Sequence, residues 1–302
     1  MAEAAIVPNP VIFDRALIRS RRRRAVALGP ATFLLDRVAE DLAERLGAVL
    51  RRFELAVDLG TLGEAVRTAL ARLGSIDTIV AADVIAHAPP FVVADDETLP
   101  FGDGTLDLVV SALALHAVND LPGVLIQIRR ALKPDGLFVA ALLGGDTLTE
   151  LRQSFAAAES EIEGGASPRI APFADLRELG ALLQRAGFAL PVTDVDRLTV
   201  RYDSVFGLMR DLRRMGATNA LLARRRVPLR RTTLLRMAEI YAQRFADGDG
   251  RVRATFEIVW LSGWAPHPDQ QRPLKPGAAK TRLADALGTH EISTGEKAGR
   301  RD

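Results

Sequence analysis

Residues 53–64 read Phe53-Glu54-Leu55-Ala56-Val57-Asp58-Leu59-Gly60-Thr61-Leu62-Gly63-Glu64. The first seven form an apolar run of strand length, closed by Asp58-Leu59-Gly60. An acid and a glycine at the end of a buried strand, followed by a helical pattern, predict the strand-to-helix turn of a nucleotide-binding sheet. Such turns ordinarily continue with two more alternating glycines, which let the backbone approach a ligand. Here Leu62 and Glu64 stand at those places, with Gly63 between them. The expectation is a turn that is either rearranged around Gly63 or closed by the side chains of Leu62 and Glu64.

Working outward, Glu64 to Leu73 has a helix pattern stopped by Gly74, and Ile76 to Ala82 is a second strand ending at Asp83. Phe91-Val92-Val93-Ala94 is a third strand running into Asp95-Asp96, and Leu106 to Ser111 is a fourth. A helix from about Val124 to Leu132, a turn at Lys133-Pro134-Asp135-Gly136 and a fifth strand at Leu137 to Leu143 follow. Short strands alternating with helices predict parallel βαβ units with helices on both faces, an α/β doubly wound sheet. Residues 147–163 and 176–186 read as helices, 191–201 as a strand, 204–216 and 231–246 as helices, and 255–264 as a last strand. The domain reading is a helical N-terminal arm over 1–50, a main domain over 51–275 with a helical insertion at about 203–250, and a disordered tail over 276–302, where Pro, Gly and charge replace any pattern.

The chain has 302 residues and no Cys, which excludes disulfides, Cys-ligated metals and a thiol nucleophile. No apolar run approaches the ~20 residues of a membrane helix, and the first 30 residues have no signal-peptide core. Net charge is only +2, but arginines cluster at Arg15, Arg19 and Arg21 to Arg24, and again at Arg224 to Arg226 with Arg230 and Arg231. The ordinary reading of such runs is a solvated helix face or a flexible arm; the alternatives are nucleic acid, anionic lipid or an acidic protein face. No aromatic residue interleaves with them as base stacking would want. His267-Pro268-Asp269 with His290 nominally supplies two His and a carboxylate, but in an irregular tail, and no metal site is assigned.

An open parallel sheet binds its ligand at the carboxyl ends of its strands. Asp58 and Gly60 end the first strand, Asp83 the second, Asp95 follows the third, and Ser111 ends the fourth. An acid after the second strand suits a pair of ribose hydroxyls, and one after the third suits an adenine amino group. Those residues, with Gly63, are the candidate cofactor-binding set. The candidate catalytic residues are His116, beyond the fourth strand, and Asp146, in Gly144-Gly145-Asp146-Thr147 beyond the fifth. Each has a plainer alternative, a packed or capping His116 and a helix N-cap at Asp146 or Thr147.

The block Ala94 to Phe101, Asp103 to Ser111 and Leu132-Lys133-Pro134-Asp135-Gly136 resembles the middle of class I S-adenosylmethionine (SAM)-dependent methyltransferases, malonyl-carrier-protein methyltransferases among them. Ile12-Phe13-Asp14-Arg15, Ser111 to Pro122, Gly144 to Arg152, Gly164 to Ile170, Met209 to Gly216 with Asn219, and Gly263-Trp264 resemble more narrowly the mitochondrial respiratory complex I assembly factor 5 family. The resemblance spans roughly residues 12–275. It implies a Rossmann-like methyltransferase sheet of about seven strands, the last antiparallel. It further implies SAM as cofactor at Asp58, Gly60, Asp83 and Asp95, and a protein client, a complex I subunit modified at an arginine. Methylation and hydroxylation both stay open, as does a non-catalytic assembly scaffold with an impaired SAM site. An RNA methyltransferase is the weakest alternative; no transmembrane segment is expected, though peripheral membrane contact is allowed. The family-like block starts a dozen residues from Met1. That leaves little room for a presequence, so the expectation is a bacterial cytoplasmic protein, or a matrix protein if eukaryotic.

Overall fold

The computed structural model describes residues 11–270, 284–285 and 288–290. The chain divides into a unit ending at Pro266 and a second unit from His267 onward. The expected boundary near residue 275, and the disorder expected beyond it, lie outside the described residues except at 284–285 and 288–290.

The first unit is built on one sheet of seven strands: β1 (Phe53–Leu59), β2 (Ile76–Asp83), β3 (Phe91–Val93), β4 (Leu106–Ala112), β5 (Leu132–Leu143), β6 (Ala189–Tyr202) and β7 (Val252–Trp264). Their order is β3-β2-β1-β4-β5-β7-β6. The first five are parallel, and β7 runs antiparallel to both β5 and β6. Strand order reverses between β1 and β4, so the crevice at their carboxyl ends is the topological switch point. All seven residues of β4 are buried, as expected for a central strand covered on both faces.

Helices α3 (Ala65–Ala71), α4 (Leu121–Ala131), α5 (Thr149–Glu163) and α6 (Leu176–Arg185) flank the sheet. Asp120 starts α4 by accepting the Gly123 amide, and Asp175 with Glu178 forms a capping box on α6. The arm holds two helices, α1 (Arg15–Ala27) and α2 (Phe33–Gly47), and the insertion holds α7 (Val205–Arg214) and α8 (Arg231–Phe245). In α2, Leu34, Leu35, Val38, Ala39, Leu42 and Leu46 are buried in the same core as Leu70, Leu108 and Val110. Their spacing makes one apolar stripe, laid on α3 and β4. α8 lies on α5, and its Tyr241 hydroxyl donates to the Arg253 carbonyl at 2.7 Å.

Two local expectations need correction. Lys133-Pro134-Asp135-Gly136 is not a turn between helix and strand but an irregular stretch within β5. The register on β4 jumps from Leu106↔Leu132 to Leu108↔Leu137, and Asp135 takes a φ of 62°. A Cβ on Gly136 would stand 2.9 Å from the Lys133 carbonyl oxygen, which is why glycine is needed there. The second arginine cluster is not simply a solvated face. Arg224 pairs with Asp14 at 3.1 Å, and Arg225 and Arg230 pair with Glu163 at 3.1 and 3.6 Å. These pairs tie the insertion to the start of α1 and the end of α5.

Leu42 is fully buried. Leu42→Ala should therefore lower unfolding stability by about 2–5 kcal/mol in a urea titration. A loss below about 1 kcal/mol would mean that α2 is not part of the sheet's core.

Candidate cofactor site

The turn after β1 is drawn tight by its own polar groups. Asp58 is 2% exposed and accepts from the Thr61 hydroxyl, whose oxygen in turn accepts the Ala112 amide at 3.1 Å. Ser111 donates to the Leu59 carbonyl at 2.8 Å and is buried, so its hydroxyl is spent on joining β4 to β1. Gly60 has a φ of 71°, and a Cβ there would lie 3.1 Å from that of Ala114. Gly63 has a φ of 86° with open space around it. Gly60 and Gly63 thus supply two left-handed residues within four positions, a turn rearranged around Gly63. Leu62 lines the cavity beside the turn.

Glu64 does not enter that cavity. Its carboxylate is drawn to the β2 side, where it accepts the Ala88 amide at 3.1 Å, pairs with Arg67 and lies 3.3 Å from His87 Nδ1. Burial pushes the Glu64 pKa up, but the Ala88 amide and Arg67 outweigh it and leave a net lowering. The expectation of a negative charge inside the ligand space is therefore corrected. Glu64 instead fixes His87, whose Nε2 lies 3.1 Å from Asp83 Oδ2. The bond to Asp83 raises the His87 pKa against the opposing effect of burial.

Asp83, at the end of β2, is 3% exposed. Its Oδ1 accepts from Arg22 Nη1 at 3.2 Å and the Ile85 amide at 3.3 Å; its Oδ2 faces Arg22 Nη2 at 2.7 Å and His87. Burial alone would raise its pKa, but His87 and Arg22 bring it below the ordinary value. Arg22 Nη2 also donates to the Gly60 carbonyl at 2.6 Å. One turn earlier on the same helix Arg19 pairs with Asp95, and two turns earlier Arg15 pairs with both Asp95 and Asp96. The spacing 15, 19, 22 places three cations on one face of α1, turned toward the acids at the sheet edge. The solvated-face reading of the first arginine cluster is corrected for these three. The signal that shows it in sequence is that spacing, set against three strands that each end in an acid.

The root of α1 is held as well. Asn119 Oδ1 accepts the amides of Ile12 and Phe13 at 2.8 and 2.7 Å, Asp14 caps the helix at Leu17, and the Asp14 amide donates to the Ala220 carbonyl.

Between the arm, the sheet edge and the insertion lies a cavity of about 370 Å³. Arg15, Arg22, Asp96, His116, Arg169 and Asn219 are among its polar lining, with Gly60 and Leu62 from the turn, and apolar residues such as Leu34, Phe155, Phe173 and Met209 line much of it. Its volume suits a small-molecule ligand. His116 Nδ1 has no partner, and the ring stands edge-on to Phe173 at 5.6 Å between centroids. Burial, with a contribution from Arg22, pushes the His116 pKa down to about 4, so the ring is neutral at pH 7. It can exchange one hydrogen bond with a ligand but carries no charge.

Asp146 is elsewhere. It is half exposed and pairs with Arg197, which also binds Glu257. It does not line the cavity, and the helix cap of α5 is Leu148 rather than Asp146 or Thr147. Thr147 exchanges bonds of 3.1 Å with the backbone of Glu257, so the Gly144 to Thr147 segment fastens the end of β5 to β7. In the second unit, the Asp269 amide donates to His267 Nδ1 at 3.1 Å. Among the described residues no three His, Asp or Glu are grouped to hold a metal, and no helix is long and apolar enough to cross a membrane.

Strand order 3-2-1-4-5-7-6 with β7 reversed, and an acid at or just beyond the end of each of the first three strands, define a class I SAM methyltransferase fold. A methyltransferase-domain family model matches residues 57–140. A putative methyltransferase structure from Bacillus halodurans superposes with a TM-score of 0.51 at 17% identity, covering 75% of this chain and 98% of that one. Among curated proteins, the human "Arginine-hydroxylase NDUFAF5, mitochondrial" is 41% identical over 287 residues, 91% of this chain and 83% of that protein. A "Malonyl-[acyl-carrier protein] O-methyltransferase" from Laribacter hongkongensis is 42% identical over 194 residues, 64% of this chain and 63% of that protein. The chain belongs to the NDUFAF5 family.

Burial raises the Asp58 pKa to about 7. An acid whose folded pKa lies above its unfolded value loses stability as pH rises through that interval. Wild type should therefore lose stability relative to Asp58→Asn as pH climbs from about 4 to about 8, by up to a few kcal/mol. Thermal melts of both proteins across that range test it; parallel curves would contradict it.

Proposed function

We propose that this chain binds SAM at the carboxyl edge of its sheet and acts on a protein client, a respiratory complex I subunit modified at an arginine. The carrying observation is Asp83 at the end of β2 and Asp95 two residues past β3, near a left-handed Gly60 that, with Asp96 and Arg22, lines a ligand-sized cavity which Asp83 and Asp95 themselves do not line. Asp83 would accept the ribose hydroxyls, Asp95 the adenine amino group, and the left-handed Gly60 would admit the ligand against the backbone. When bound, SAM supplies a methyl group for in-line transfer to a nucleophile. The chain's own part is positioning and exclusion of water by the arm, with neutral His116 offering one hydrogen bond from the cavity's polar lining.

The arginine rests on the name arginine hydroxylase that relatives carry, and the complex I client on the family resemblance of the sequence. Mass spectrometry of complex I subunits incubated with the protein separates an added methyl from an added oxygen. A second reading, a scaffold without SAM chemistry, is favoured by Leu62 in the cavity. The two diverge in a calorimetric titration with SAM. The enzyme reading expects saturable binding, weakened at least about tenfold by Asp83→Ala or Asp95→Ala. The scaffold reading expects no binding by wild type and recovery in Leu62→Gly.

A further inference from the structure

An ionised carboxylate offers about four acceptor sites. In Asp83 all four are taken: two by Arg22, one by the Ile85 amide and one by His87. The amide belongs to the chain that follows β2 and cannot leave without unmaking the turn. His87 is held between two carboxylates, Asp83 and Glu64, and Glu64 is itself fixed by Ala88 and Arg67. Arg22 is the donor that can go, because it reaches Asp83 from a different element, on a long flexible side chain.

We propose that α1 is a latch on the cofactor edge: Arg22 holds Asp83 in the place of a ribose diol, and SAM binds by displacing it. The inference rests on the cofactor reading above. Both hydroxyls of a diol need acceptor sites on the same carboxylate, so Arg22 and the cofactor exclude one another there. The same guanidinium covers the Gly60 carbonyl, which sits in the turn the cofactor must approach. Arg19 and Arg15 repeat the arrangement at Asp95, the acid expected to take the adenine amino group. Two of the strand-end acids that a SAM ligand would use thus carry an α1 arginine instead.

The helix is held at both ends, and what can leave is the Arg22 side chain. Residues 12–14 are pinned by Asn119, Ala220 and Arg224, and the Phe13 side chain is buried. Beyond that root Ala25 is buried, Arg21 donates to the Thr218 and Asn219 carbonyls, and Arg214 donates to the Gly29 carbonyl just past the helix, while Arg15, Arg19 and Arg22 reach the sheet-edge acids. The Arg22–Asp83 pair is largely buried and is screened little, whereas Arg19–Asp95 is about a third exposed on both sides and weakens with salt. Cofactor binding should therefore be stronger at high salt than at low salt, the reverse of what a purely attractive charged site would show.

The test combines calorimetric titration of SAM with hydrogen exchange of the unliganded protein, on wild type and Arg22→Gln, at about 50 mM and about 0.5 M NaCl. The latch predicts that Arg22→Gln tightens SAM about tenfold at low salt, and that high salt tightens binding in both proteins through the exposed Arg19–Asp95 pair. It also predicts faster exchange of α1 amides in Arg22→Gln without any ligand, a readout that needs no cofactor. Equal or weaker SAM binding by Arg22→Gln, with wild type binding normally, overturns the latch and leaves the cofactor reading standing. Absence of SAM binding by both proteins at both salt levels overturns the cofactor reading and the latch with it. Unchanged α1 exchange in the variant overturns the latch alone.

Discussion

Acidic groups gathered at one edge of a sheet are costly to bury unless something neutralises them. Asp58, Asp83 and Asp96 are all nearly buried here, with Asp95 beside them. Each meets the problem differently. Asp58 lies deepest, with only Thr61 as a side-chain partner, and its pKa rises to about 7. Asp83 stays ionised because His87 and Arg22 face it. Asp95 and Asp96 depend on Arg15 and Arg19. Much of what surrounds the site follows from this charge balance: why the arm is arginine-rich, why it folds back across the sheet, and why Glu64 is turned toward His87.

The turn after β1 has a different role from the one its missing glycines suggest. Side chains at both positions could have closed it. Only Leu62 faces the cavity, while Glu64 leaves the ligand side altogether and braces His87. Gly63 takes up the left-handed conformation that the turn needs. The departure from the usual pattern is thus divided: one residue narrows the ligand space, and the other strengthens the acid at the end of β2.

The sheet was legible from local pattern. Short buried strands alternating with helices gave the parallel core, and acids at strand ends marked its functional edge. What was not legible depends on contacts far apart in the chain. Arg15, Arg19 and Arg22 read as a charged face because their partners lie about sixty to eighty residues away. His87 carried no local motif, and its importance comes from the two carboxylates that folding brings to it. Asp146 looked catalytic because Gly144-Gly145-Asp146-Thr147 follows a strand, yet those residues serve the β5–β7 junction. Ser111 looked like a ligand contact and is instead a tie between β4 and β1.

The exchange at Asp83 joins these observations, since arm, turn and cofactor edge meet on that carboxylate. A crystal structure with S-adenosylhomocysteine bound tests it most directly. The account predicts the ribose hydroxyls on Asp83, His87 still in place, and the Arg22 guanidinium withdrawn from both Asp83 and the Gly60 carbonyl. A ligand seated at this edge with the Arg22–Asp83 pair intact would contradict it.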